Sequence, residues 1–424
     1  MLDPKRIRSE RAQVEEAIRW KKSPADLSRY LELDEKRREL LVQAESLKHR
    51  RNEASEAIGR KKRTGEDAAT AIAEMKGVGD EIKALDNQLA AVDAELLKIS
   101  HWIPNTIHES APRAEADGNK IVRSVGEPKK FHFEAKPHWE LATSLRLLDF
   151  ERAGKIAGGG FLLFTGKGAR LERALINFMI DLHARDHGYT EVWPPHVVRD
   201  ECLFSTGQLP KLAEDMYKLA DEELYLNPTA EVPVTNIYRE EILDHAMLPI
   251  RNVGYCASYR REAGSYGRET RGMIRVHQFD KVELVKIVRP ETSYDEHESL
   301  CKDAEDVLKA LGFAYRVVLL AAGDLSFAAS KCYDLETWAP GEGRWLEVSS
   351  CSNFEDFQAR RAGIRFRNEK TGKAELCHTL NASGLALPRT FATLLEVCQT
   401  ERGTVLLPEP LVPYMGGIRE LTPD

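Results

Sequence analysis

The densest chemistry in the sequence lies between Ser258 and Glu283. Five arginines, Arg260, Arg261, Arg268, Arg271 and Arg275, share this stretch with Gly264, Gly267 and Gly272, and apolar strand-like runs flank it. Guanidinium groups grip phosphate oxygens at two points, and glycines let backbone close tightly, so such a loop can fold over a polyphosphate. An exposed polar hairpin is the plain alternative, which the crowding of arginine with glycine disfavours. Just beyond the loop, Glu283 sits in the run Val282–Val288. Strand alternation puts it on one face with Val285 and Ile287, opposite Val282, Leu284 and Lys286. A carboxylate among apolar neighbours is costly without a partner, and a bound substrate would supply one.

These groups need a rigid frame, and the composition from about residue 138 onward is that of a mixed α/β domain. Strand-like runs occur at Gly160–Phe164, Tyr189–Trp193 and Val282–Val288, and helical patterns at about 168–187, 291–311 and 384–400. Consecutive strands without an intervening helix, as at 250–288, predict an α+β fold with an antiparallel sheet and surrounding helices. Gly158-Gly159-Gly160 lacks the spacing of a dinucleotide fingerprint and reads as a tight turn. Residues 106–137, with Pro112, Pro128 and Pro137, read as a linker.

The first 105 residues are different in kind. Leu33, Leu40, Leu47 and Ala54 recur every seven residues, and Met75, Val78, Ile82, Leu85, Leu89, Val92, Leu96 and Ile99 alternate by three and four. This is a coiled-coil seam. A turn at Arg63–Asp67 makes it an antiparallel hairpin over about 27–100, too long to bury itself in a globular domain. Residues 36–63 carry a net charge of +6 and residues 64–100 a net of −5. Charge pairing between the helices is one reading. A phosphate-binding face on the first helix, centred on Lys48, Arg50, Arg51, Arg60, Lys61, Lys62 and Arg63, is the other.

The net charge of the 424 residues is −7, so any polyanion site must be a local patch. Seven scattered cysteines without a C-x-x-C pair argue against a disulfide framework or a zinc site. The start of the chain has no apolar signal region, and no run approaches the roughly 18 residues of a membrane span. A cytoplasmic protein that does not enter membranes is expected.

Tyr259-Arg260-x-Glu262 resembles motif 2 of the class II aminoacyl-tRNA synthetases. Gly188–Pro195 resembles their motif 1 and Asn381–Arg389 their motif 3. The string Glu262-Ala-Gly-Ser-Tyr-Gly-Arg-Glu-Thr-Arg-Gly, with His277-Gln278-Phe279, is similar to bacterial seryl-tRNA synthetases in particular, as are Thr229-Ala230-Glu231 and Glu347–Asn353. The resemblance spans nearly the whole chain, hairpin included. Tyr259, Ala382 and Pro388 depart from common family choices without touching the chemistry. A threonine- or proline-specific synthetase, a ligase acting on a carrier protein, and an interaction protein with an inactive catalytic domain are the alternatives. The serine signatures, the basic hairpin and the intact set of charged residues argue against them in turn.

The resemblance implies an ATP-dependent ligase that activates L-serine and charges the tRNA for serine, and the tRNA for selenocysteine where one exists. It implies ATP against Arg260, Arg261, Glu262, Val276, Phe279, Glu347, Val348, Ser349, Ser350 and Arg389, with Arg260 and Arg389 catalytic. Arg260 would hold the serine carboxylate and α-phosphate, and Arg389 the γ-phosphate. Arg268 and Arg271 are further candidates for the clamp. Glu262 would face the adenine amino group and Phe279 would stack on the ring. Mg²⁺ would sit on Glu347 and Ser350, whose oxygens suit a hard ion. Serine would be held by Thr229, Ala230, Glu231, Glu283 and Ser383. A homodimer through motif 1 and tRNA contacts along the basic helix complete the expectation.

Overall fold

The computed structural model describes residues 1–65, 67–263 and 272–423, so the candidates Arg268 and Arg271 lie outside the described residues. The chain divides into two compact units, Met1–Pro104 and Asn105–Asp424.

In the first unit, short helices α1 (Pro4–Ser9) and α2 (Arg11–Trp20) precede long helices α3 (Leu27–Thr64) and α4 (Ala69–Ser100). Asp26 caps α3 by accepting from Arg29 N, and Gly65 closes it in the left-handed conformation (φ 75°). The seam is where the heptads put it. Leu33, Leu40, Ala44, Val78, Ile82, Val92 and Leu96 are buried, while their neighbours on the outer faces are exposed. Arg29–Glu95 (2.9 Å), Arg37–Asp93 (2.5 Å) and Lys48–Asp86 (3.0 Å) pair the basic helix with the acidic one.

The second unit is built on an eight-stranded sheet among the described residues. Its strands are β1 (Lys120–Val125), β2 (Thr190–Val192), β3 (Ile250–Tyr259), β4 (Gln278–Val288), β5 (Tyr315–Leu319), β6 (Lys331–Ala339), β7 (Arg344–Asn353) and β8 (His378–Ala386). They lie in the order β1-β5-β6-β7-β8-β4-β3-β2. Neighbours are antiparallel except β2 and β3, which run parallel at one edge. Helices α5 (His138–Ser144), α6 (Gly166–Asp186), α7 (Glu231–Thr235), α8 (Ser293–Leu311) and α9 (Leu387–Cys398) surround it. Leu171, Leu175 and Met179 of α6, Leu300 and Val307 of α8, and Phe391 and Leu395 of α9 share one core with Val282, Leu284, Leu380 and Ala382 of the central strands. From Lys281 onward β4 is buried on both faces.

Three expectations shift. Gly160–Phe164 is not a strand; Phe164 alone forms an isolated bridge, to Leu148. Gly158 and Gly160 turn the chain at positive φ (89° and 79°), and Gly160 O accepts from His277 N at 2.8 Å. The stretch read as a linker contributes β1, which pairs with β5. The third helical pattern begins at Leu387, because residues 384–386 finish β8. Pro388 then falls in the first turn of α9, where a missing N–H is harmless. All seven cysteines are free thiols. No described helix is long and apolar enough to cross a membrane.

Candidate active site

A cavity of about 540 Å³ opens over the central strands, and most of the predicted residues line it. Thr229 and Glu231 enter from the start of α7, Arg260 and Val276 from the chain between β3 and β4, Phe279 from β4, and Arg389 from the first turn of α9. Glu262, Glu347, Ser350 and Ser383 line it too. Glu347 and Ser350 are three apart and would point to opposite faces of a regular strand. A register shift between Glu347 and Ser349 opposite β6 brings both to the cavity. A second shift, between Ser383 and Leu385, lies beside the other polar wall.

Five predicted residues do not line the cavity. Ala230 is fully buried with Val234, Cys256 and Val285, and Val348 belongs to the core. Ser349 donates to Ser383 O at 2.7 Å and so braces β8 against β7. The Arg261 side chain is exposed, while its N–H donates to Asp215 O at 2.9 Å. Glu283 lies beneath the surface, fully buried. The protein itself supplies its partners: Lys281 Nζ at 2.6 Å, Asn381 Nδ2 at 2.9 Å and Thr229 Oγ1 at 3.3 Å. Burial pushes the Glu283 carboxyl up from its ordinary range, and the Lys281 ammonium and Asn381 amide pull against that. Three donors leave one lone-pair position of a carboxylate for a further donor.

Lys281, Asn381 and Gln358 escaped sequence reasoning. Lys281 stands two residues before Glu283 on the same strand face, a signal that was available. It also donates to Thr229 Oγ1 at 3.2 Å. Asn381 needs the β8–β4 pairing, and Gln358, whose Nε2 donates to Glu231 Oε1 at 2.7 Å, has no sequence signal at all. Burial, then the charge of Glu283, pushes the Glu231 carboxyl up to about 7.

On the other wall, the Arg260 guanidinium lies over the Phe279 ring at 5.2 Å, and its Nε donates to Pro228 O at 3.2 Å. Glu262, at φ 51°, pairs with Arg275 at 2.5 Å. Arg389 Nη1 donates to Glu347 O at 2.9 Å and sits 3.2 Å from its carboxylate. The oxygens of Glu347 and Ser350 on one wall form a donor set suited to a hard divalent cation. Asp334 adds a second carboxyl beside them: it bonds Ser350 and is held well above the ordinary range by burial and by the charge of Glu347.

In the hairpin, Lys48 is tied to Asp86, and Arg60 to Glu56 at 3.6 Å. Arg50, Arg51, Lys61, Lys62 and Arg63 are exposed and make no ion pair among the described residues.

Two family models match: the seryl-tRNA synthetase N-terminal domain over residues 1–107, and the tRNA synthetase class II core domain (G, H, P, S and T) over 216–398. The chain is 54% identical to the serine–tRNA ligase of Thermoanaerobacter pseudethanolicus over 416 residues, 98% of each protein. Its fold superposes on seryl-tRNA synthetase from Pyrococcus horikoshii complexed with ATP with a TM-score of 0.94, at 34% identity and full coverage of both chains. On the cytoplasmic serine–tRNA ligase of Naegleria fowleri in complex with AMP the TM-score is 0.86, at 29% identity, covering 97% of this chain and 96% of that one. With its hairpin, its antiparallel core and its three motif segments in place, the chain belongs to the seryl-tRNA synthetase family.

Proposed function

We propose that this chain is a serine–tRNA ligase, which joins L-serine to ATP as seryl-adenylate with release of pyrophosphate and then passes the seryl group to the 3′ end of the tRNA for serine. The tRNA for selenocysteine, where a cell has one, is a second acceptor. The observation that carries the reading is one cavity with Glu231 on one wall, Glu283 buried just beneath that wall and bonded to its lining residues Lys281, Asn381 and Thr229, and the arginines Arg260 and Arg389 on the other.

The serine carboxylate oxygen attacks the α-phosphorus, forming an O–P bond as the bond to pyrophosphate breaks. Two anions must meet, so positive charge fixed in advance lowers the barrier. Arg260 leaves Phe279 to bridge the serine carboxylate and the α-phosphate, freeing the ring face for adenine, with Glu262 at the amino edge. Arg389 exchanges its bond to Glu347 for the γ-phosphate. Glu347 and Ser350 would hold Mg²⁺, which supplies charge neutralisation to the phosphates. Glu231, oriented by Gln358, takes the serine ammonium together with Thr229. The fourth acceptor position of Glu283 takes the serine hydroxyl, with Ser383 beside it. Alanine would leave those buried groups unpaired, which permits rejection on the order of 10⁴.

The enzyme works in the cytoplasm as a homodimer joined through the motif 1 segment. There Trp193 is 70% exposed, although large aromatic rings are normally covered. Arg50, Arg51, Lys61, Lys62 and Arg63, which make no ion pair among the described residues, take the tRNA backbone. ATP–pyrophosphate exchange across the amino acids tests the assignment. Exchange driven by serine is expected, and exchange driven by threonine or proline, or by no amino acid, would overturn it.

A further inference from the structure

Outside the cavity wall, His138, Glu342 and Glu396 bring an imidazole and two carboxylates within 4.8 Å of one another. The set looks like a metal site, and the hydrogen bonds rule that out. Met273 N lies 3.2 Å from His138 Nε2, and a backbone N–H can only donate. Nε2 therefore carries the lone pair, and Nδ1 carries the proton that it gives to Glu396 Oε1 at 2.8 Å. A cation on Nδ1 would move the proton to Nε2 and set two N–H groups head to head. Glu342 is already engaged by Arg344 at 2.9 Å.

The arrangement joins segments that grip ATP. Glu396 is fully buried and accepts four donors: His138 N, His138 Nδ1, Gly341 N and Glu342 N, at 2.8 to 3.0 Å. It lies on α9 seven residues after Arg389, two turns along the same face and about 10 Å down the axis. Met273 opens the return of the arginine-rich stretch, whose next residues, Ile274, Arg275 and Val276, line the cavity. The fit is close at Gly272, where φ is +78° and a Cβ would stand 2.3 Å from His138 Nε2.

We propose that His138 is a positioning residue for ATP, which fixes the returning end of the arginine-rich stretch to the helix of Arg389 through the chain Glu396–His138–Met273. His138 touches no substrate in this account. It sets the distance between the residues around the nucleotide on β4 and the arginine that takes the γ-phosphate. The inference rests on the serine-activating role proposed above.

The test is steady-state pyrophosphate exchange with the full-length protein, varying ATP at saturating serine and serine at saturating ATP. His138→Leu should lower kcat/KM for ATP by roughly 10- to 10²-fold, the scale of a small misplacement of reacting groups. KM for serine should move less than about twofold, because the Glu283 wall does not use this link. His138→Gln, which can accept from Met273 and donate to Glu396, should recover part of the ATP term, and carries the test if the leucine variant does not fold. A core histidine with no positioning role would leave KM for ATP unchanged and reduce kcat only with the folded fraction. That result, or equal losses for ATP and serine, would overturn the proposal. A wild-type protein silent with serine would overturn the functional reading first, and this proposal with it.

Discussion

The hairpin and the cavity use the same side chains in opposite ways. In the hairpin, basic and acidic groups lie in water, where exposed pairs such as Arg29–Glu95 are screened and individually weak. Beside the cavity, Glu283 is fully buried and Lys281 nearly so, and the two are paired at 2.6 Å. Water lets the hairpin leave Arg50, Arg51, Lys61, Lys62 and Arg63 uncommitted, ready for a polyanion. Burial forbids that in the cavity, where a lone charge would neutralise itself instead. On the function proposed above, surplus charge marks the binding surface in one unit, and a paired carboxylate with one acceptor position to spare marks it in the other.

Removing one region should leave the other working. Deletion of residues 36–98 is expected to abolish transfer of serine to tRNA while serine-dependent pyrophosphate exchange stays largely intact. Comparable loss of both activities in a folded protein would contradict the division. Within the cavity, Arg389→Ala should slow adenylate formation by at least about 10²-fold, the scale for one preorganised transition-state contact. Normal exchange by a folded variant would remove Arg389 from the mechanism.

A gentler effect should appear with pH. Glu231 must be ionised to hold an ammonium group, and in the free protein burial holds its carboxyl near about 7. Serine binding then has to displace a proton at lower pH. KM for serine should be flat above neutrality and rise as pH falls below it, by up to about tenfold per unit. Glu231→Gln should bind serine weakly with no such slope, and a wild-type profile that stays flat to about pH 5.5 would contradict this role.

The smallest effect belongs to the hairpin surface. Arg50, Arg51, Lys61 and Lys62 all changed to Ala should weaken tRNA binding and flatten its dependence on salt, by nearly one unit of logarithmic slope per lost phosphate contact on a duplex. If these residues served only the pairing of the helices, melting temperature would fall and tRNA affinity would hold. They make no ion pair with α4 among the described residues, so the melting temperature is expected to hold.

Regular features were legible in the sequence and irregular ones were not. The seam of the hairpin follows from period alone, and the placing of Glu283 on one strand face with Val285 and Ile287 from alternation, although β4 is buried on both faces. Glu347 and Ser350 reach one wall only through a bulge, which alternation cannot foresee. Phe161 to Leu163 looked like strand because it is apolar, yet the positive-φ glycines before it turn the chain. Gln358 meets Glu231 across 127 residues of sequence, so only the tertiary fold reveals it. Glu283 also has a partner within the protein, Lys281, two residues away on the same strand face, and tertiary pairing is needed to see that one acceptor position is left over.

Selection of the serine hydroxyl by Glu283 is the step on which the proposed specificity turns. Pyrophosphate exchange should be measured with serine and with alanine, in wild type and in Glu283→Ala, at saturating ATP. A wild-type preference for serine on the order of 10⁴ is expected to collapse in the variant, with KM for ATP little changed. A variant that activates serine normally and still rejects alanine would contradict it.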